Sequence, residues 1–321
     1  MTNPGADADR PRLTTARLLL TGSVLMGLAL APAAGAIESV VVLKSDDLSV
    51  YEAPIEAFEE AIGRPVTVLD IEGQRSVAKD IVTRLRFDPP PLVFALGAKA
   101  AWMAHEQMPH VPLVYGMIRD PARYGLEGSS VTGVGHEIPY EILMGQVQLF
   151  LPDVRKIGVI LTNQNPAVQE LRAAARAAEI DIDVSSVQDH RDVRGAATRI
   201  SKRVDALLVV NDPEVLTPEN FRFIREQAGR VGIPIVATSE ALARSGALLA
   251  VVPDYGLTGS QAAELAVRIL DDGASPGELP PLRPQGARVL LNRAVLEGLG
   301  LELDPMLLDF TDEVIEEGAG R

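Results

Sequence analysis

IGVILTNQNPAVQELRAAARAAEIDIDVSS, from Ile157 to Ser186, is the stretch that decides the fold. Ile157 to Leu161 is a short apolar run bounded by turn residues, which reads as a strand. Asn165-Pro166 then sets a capping side chain before a first-turn proline, the opening of a helix. The helical pattern holds from Ala167 to Ala178, and Ile182 to Ser186 alternates again as a strand. A helix between two such strands is a crossover, and crossovers join parallel strands.

The same unit repeats in both directions. Toward the C-terminus, strands are expected at Ala206–Val210, Ile233–Ala237 and Leu248–Val252, with helices at Arg191–Lys202, Pro218–Gly229 and Glu240–Ser245. Thr217-Pro218 repeats the cap-and-proline start. Toward the N-terminus, strands are expected at Val40–Leu43, Val66–Asp70, Leu92–Leu96 and Val111–Tyr115, separated by helices at Ala53–Ile62, Gln74–Arg86 and Ala98–His105. Near-continuous runs such as VVVL and ALLVV fit strands buried on both faces. A helix at Tyr140–Phe150 links the two series, and another at Gly256–Leu270 precedes a proline-rich return to a last strand at Val289–Leu291. The predicted fold is α/β: two doubly wound parallel-sheet lobes with a hinge. Residues 37–138 and 254–286 form the first lobe and residues 139–253 and 287–310 the second. Residues 311–321 are an acidic tail, and the acidic stretch from Asp304, with Leu307, Leu308, Phe310, Val314 and Ile315, reads as a short packed helix or a frayed end.

Composition narrows the function classes. With 321 residues and 47% hydrophobic content the chain can build ordinary cores. A formal charge of -14 leaves no basic field for phosphate backbones, so nucleic acid is not expected as a partner. Arg10, Arg12 and Arg17 precede the apolar run Leu18 to Leu30, followed by Ala34-Gly35-Ala36, the pattern of a cleaved signal peptide over residues 1–36. The apolar run falls short of the ~20 residues that span a bilayer. Cysteine is absent, so neither a disulfide nor a lipid-bearing cysteine is available. A soluble, unanchored periplasmic protein is the expectation.

Catalytic patterns are missing. There is no G-x-S-x-G elbow, Walker A loop or H-E-x-x-H pair. Gly133-Val134-Gly135 lacks the third glycine of a dinucleotide fingerprint and reads as loop or bulge glycines. His105, His110, His136 and His190 do not fall at helix-face spacing and read as surface or helix-end residues, so no metal site is expected. Neither a cofactor nor an enzymatic activity is implied.

What does recur is a polar or small cluster directly after a strand: Ser45-Asp46, Gly97-Ala98-Lys99, Asn163-Gln164-Asn165, Asn211-Asp212 and Thr238-Ser239. In open α/β sheets ligands bind outside the carboxyl ends of the strands, where helix N-termini offer unpaired N–H groups. Capping alone accounts for Asn165, Thr217 and Ser239 individually, and Lys99 also reads as a solvated lysine. The set of five is the stronger signal. Tyr115, Tyr255 and Trp102 are candidates for an aromatic wall, Trp102 also for a core position. Asp120-Pro121 reads as a turn.

The block from Leu92 to Gly135, with Gly97-Ala98-Lys99-Ala100, VPLVYGMIRDPARYGL and VTGVG, resembles the ABC transporter substrate-binding proteins whose members include tryptophan and tyrosine binders. Pro112, Val114, Asp120, Pro121, Gly125, Leu126, Thr132 and Gly133 carry the match. LFLPDVRKIGVILT, DALLVVNDPEV and the run from Ile233 to Leu270 extend it over nearly all the chain after residue 36. The resemblance implies a type I periplasmic binding fold, a small-molecule ligand between the lobes, an ABC permease partner in the inner membrane, and a monomer. It also implies that the residue after Gly97 offers a hydroxyl to a ligand carboxylate. Ala98 stands there, so Lys99 and backbone N–H groups are the expected substitutes. Asn163, Asn165 and Asp212 fall where the second lobe would close, Asp212 as a partner for an ammonium. A periplasmic sensing module for a signalling partner is the alternative reading.

Overall fold

In a computed structural model, described over residues 39–163 and 165–316, the repeated unit becomes two separate sheets. The signal-peptide reading and Gln164 lie outside the described residues. The first sheet holds β1 (Val40–Lys44), β2 (Val66–Asp70), β3 (Val93–Leu96), β4 (Leu113–Ile118) and β5 (Val131–Gly135), in the order β2-β1-β3-β4-β5 and all parallel. The second holds β6 (Lys156–Thr162), β7 (Asp181–Val187), β8 (Ala206–Val209), β9 (Ile235–Ala237) and β10 (Leu249–Pro253), then β11 (Ala287–Asn292) and β12 (Glu313–Ile315). Its order, β12-β11-β10-β9-β8-β6-β7, repeats the first pattern, with β11 added antiparallel to β10. In each sheet the first strand of the series sits between the second and third. The crossovers on its two sides therefore leave for opposite faces and open a crevice at the carboxyl ends.

The helices are α1 (Glu52–Ile62), α2 (Arg75–Phe87), α3 (Ala98–Gln107), α4 (Tyr140–Phe150), α5 (Ala167–Ala177), α6 (Val193–Ile200), α7 (Pro218–Val231), α8 (Glu240–Arg244), α9 (Tyr255–Leu270) and α10 (Arg293–Gly298). Strand side chains alternate between faces. Val41, Leu43, Ala95 and Tyr115 pack under α2 and α3, while Val40, Val42, Phe94 and Val114 pack on the other face against α1 and α9. The second sheet is covered by α4 and α5 on one face and by α6, α7 and α8 on the other. Each aliphatic side chain so buried contributes roughly 1.5–3 kcal/mol.

Three segments cross between the sheets. Residues 136–139 lead from β5 to α4, Asp254 leads from β10 to α9, and residues 280–286 lead back to β11. All three pass the carboxyl ends of β5 and β10, because β11 runs antiparallel and starts where β10 ends. The last crossing is pinned to the first lobe: the Leu282 N–H donates to Gly133 O at 2.8 Å, and the Gly135 N–H to Leu282 O at 2.8 Å. The buried Gln261 side chain donates to Arg283 O at 2.9 Å and accepts from the Gln285 N–H at 3.2 Å.

Several sequence readings need correction. Gly133, Val134 and Gly135 are not loop glycines but strand β5. Gly133 is required there because a Cβ would overlap the carbonyl oxygen and ring of Tyr115. The fourth strand begins after Pro112, which has no N–H to give a ladder. It continues to Ile118 through an irregularity at which Met117 takes φ 60°. The segment from Asp304 forms a 3-10 turn at Pro305–Phe310, and Glu313–Ile315 joins the second sheet as its edge strand, in place of the packed helix or frayed end that the sequence suggests. Trp102 is 41% exposed, since the inward face of α3 is Ala100, Ala101 and Ala104.

Candidate functional site

At the crevice of the first lobe, Ser45 follows β1 and is buried, and its Oγ accepts from the Ala100 N–H at 3.0 Å. That bond satisfies one of the free donors in the first turn of α3. Gly97 has φ 84°, and a Cβ on it would come within 2.5 Å of the Tyr51 hydroxyl and 2.7 Å of Ser45 Oγ. Only glycine fits, which brings the backbone of residues 97 to 99 to the cleft edge. Ala98 offers a methyl group and no hydroxyl. Lys99 Nζ lies 3.3 Å from Asp46 in an exposed pair, a link worth at most about 1 kcal/mol and easily redirected.

At the second crevice, Asp212 is buried after β8. Its Oδ2 accepts from the Thr162 N–H at 3.0 Å, Thr162 Oγ1 at 3.0 Å and Asn165 Nδ2 at 2.9 Å, and its Oδ1 from the Glu214 N–H at 3.1 Å. Asn165 Oδ1 in turn accepts from the Ala167 N–H at 2.9 Å, starting α5. Asp212 and Asn165 thus tie the ends of β6 and β8 together, and the carboxylate that sequence reasoning offered to an ammonium is already occupied. Asn163 is exposed beside a polar recess of about 490 Å³ shared with Ser186, Gln188 and Arg199. Asn211, Thr238 and Ser239 are half-buried at their strand ends. Tyr115, by contrast, is in the core of the first lobe, 1% exposed, with its hydroxyl pushed up to about 12 by burial. It does not reach a strand end.

Where the lobes meet, Tyr255 opens α9, and its ring stacks on His136 with centroids 5.7 Å apart and planes 10° from parallel. The sequence places His136 at the surface or a helix end; instead it directly follows β5, and its Nδ1 is buried without a hydrogen-bond partner. Burial, then the nearby Arg119 guanidinium, lowers its pKa to about 4, so the ring is neutral. Tyr255 is raised by burial, then by Glu240, with Arg119 and Arg288 opposing. Arg119 lies past β4 of the first lobe and Glu240 past β9 of the second, and the charges of both are felt at this ring. Glu137 is raised by burial against the pull of Arg119, and Tyr140 is pushed up to about 12 by burial. Arg283 forms an ion pair with Glu170 on α5, one contact being 3.2 Å. Sequence reasoning missed His136, Arg119 and Glu137. Reading β5 as a strand would have found the first by the rule that found the other clusters.

A family model described as ABC transporter substrate binding protein matches residues 66–315. The chain belongs to this family. This substrate-binding protein is also similar to a tyrosine-binding protein of Clostridioides difficile (strain R20291), 24% identical over 243 residues, which cover 73% of this chain and 68% of that protein. Among solved structures it resembles an ABC domain in complex with L-Trp from Streptococcus pneumoniae, with TM-score 0.57 and 20% identity over 87% of this chain and 99% of that one. It also resembles the ligand-free, open structure of a substrate-binding protein with adhesive properties from Clostridium difficile, with TM-score 0.70 and 18% identity over 88% and 100% of the two chains. These structural likenesses establish the two-lobed α/β fold. Among the described residues no helix is long and apolar enough to cross a membrane, and no group of three or more acidic or histidine side chains could hold a metal ion.

Proposed function

We propose that this protein is the exported solute-capturing subunit of an ABC importer, a monomer that grips a small organic solute between its lobes and delivers it to a membrane permease without covalent chemistry, metal or cofactor. The observation that carries this reading is the shared direction of the strand ends: three crossings at the carboxyl ends of β5 and β10 turn both crevices toward one gap. Ser45, Asp46, Gly97, Ala98, Lys99, Asn163, Asn165, Asn211, Thr238, Ser239 and Tyr255 supply its rim; Asp212 supports the second wall from behind. The likeness to a tyrosine binder and to an L-Trp complex supports an amino acid or a related small molecule. Binding closes the gap only if the ligand holds the closed form more tightly than the open one. The signal-like start supports export into the periplasm.

Small-angle scattering on residues 37–321 against a library of amino acids and small organic solutes tests this. At least one solute is expected to shrink the radius of gyration and raise the melting temperature together, as for a ligand bound only to folded protein. A library-wide absence of compaction would overturn the reading.

A further inference from the structure

The hinge side of the cleft contains polar groups that the fold does not use. The Nδ1 of His136 is sealed from solvent without a hydrogen-bond partner, and buried polar atoms are nearly always paired. His136 lies nearly parallel to Tyr255, an arrangement that a half-turn of the imidazole about its Cβ–Cγ bond preserves. Arg119 comes after the irregular end of β4, where the register shifts and Met117 takes φ 60°. Such a conformation is strained for a bulky residue, and bulges near sites serve to re-aim a neighbouring side chain. Arg119 is exposed, and no described carboxylate lies within 4.0 Å of its guanidinium; Glu137 acts on it only from beyond that distance. The other cations nearby are already paired, Arg283 with Glu170 and Arg288 with Glu313. Of the carboxylates, Glu240 is held by Arg244, and Asp120 accepts from the Arg123 N–H.

The positions first expected to hold a ligand are in the opposite condition. Ser45 Oγ is engaged by Ala100, residue 98 has no hydroxyl, Lys99 faces Asp46, and both oxygens of Asp212 are occupied. We infer that Arg119 and His136 form a carboxylate subsite at the hinge edge of the cleft, the guanidinium fork taking one or both oxygens and a ring N–H of His136 donating beside it. A planar guanidinium matches a carboxylate in two parallel hydrogen bonds, and the Tyr255–His136 stack presents an aromatic surface next to it. The ligand class is an organic carboxylate with a flat apolar body. This rests on the cleft reading above and adds the end of the solute at which recognition is anchored.

Isothermal titration of residues 37–321 with three matched probes, 3-phenylpropionate, L-phenylalanine and phenethylamine, tests the subsite. The two carboxylates are expected to bind and the amine not. Arg119→Gln is expected to weaken carboxylate binding at least tenfold, with Arg119→Lys recovering part of it, and His136→Phe to weaken it several-fold while keeping an aromatic stack. Both Gln and Lys variants should melt with the parent protein, because Arg119 is exposed. Binding of the amine as tight as that of the acids, failure of both acids to bind, or an unchanged affinity in Arg119→Gln would overturn the subsite. Compaction by some other solute in the scattering experiment would then leave the cleft reading standing.

Discussion

His136 is neutral in the folded protein at pH values where a solvated histidine would carry a proton. Burial and Arg119 lower its pKa to about 4 from the ordinary 6.5. Above pH 6.5 the ring is neutral in both the folded and unfolded chain and contributes no pH dependence. Between 6.5 and 4 the unfolded chain takes up a proton that the folded chain refuses, so stability falls as pH falls; below 4 both are protonated and the loss levels off. The full shift corresponds to about 3 kcal/mol, an upper figure because the ring is partly exposed. Denaturant titrations of the parent and His136→Gln should therefore diverge in pH dependence across that window, the parent losing more stability toward pH 4. Taking the difference removes the opposite slope from Glu137, whose raised pKa makes stability fall as pH rises through it. Parallel curves would show that His136 titrates as a solvated ring.

At the scale of elements, the second crevice depends on one buried carboxylate holding two strand-to-helix turns in register. Thr162 ends β6, Asn165 lies between β6 and α5, and Glu214 lies between β8 and α7; all three donate to Asp212. Asp212→Ala removes the acceptors and leaves four donors to find water or remain unpaired. Losing hydrogen bonds to a charged acceptor costs about 1.5–3 kcal/mol, above the ~1 kcal/mol of losing a helix cap such as Thr217. Equilibrium unfolding of Asp212→Ala should show a loss in the upper range. A loss below about 1 kcal/mol would mean that the turns hold themselves and that Asp212 is free for a ligand.

For the whole molecule, the ion pair of Arg283 and Glu170 links the lobes. The backbone at Arg283 is fastened to the first lobe through Gln261 and Leu282, while Glu170 rides on α5 of the second. Arg283 is 62% exposed, so solvent screening leaves the pair little weight in global stability, under about 1 kcal/mol. Its effect belongs to the angle between lobes, where a small bias shifts populations. Arg283→Gln should leave the unfolding midpoint nearly unchanged while altering the interlobe distance distribution of a spin-label pair, one label per lobe. An unchanged distribution would mean that the crossing segments alone set the angle.

Periodicity, caps and prolines in the chain determined the parallel α/β class, the two series and most helix starts, because those signals act over a few residues. The clusters after β1, β3, β6, β8 and β9 were legible for the same reason: a small or polar residue after a strand is a local pattern. Strand β5 was not, since its two glycines suit a turn unless the Tyr115 ring beside Gly133 is known. Strand β12 was hidden likewise, its three residues being a strand only because β11 offers an edge. Only the tertiary structure decided that Tyr115 is core, that Asp212 is occupied, and that His136 stacks on Tyr255 within the field of Arg119. Those facts depend on contacts between residues far apart in the chain, and burial, pairing and electrostatic reach are properties of the packed chain rather than of any segment.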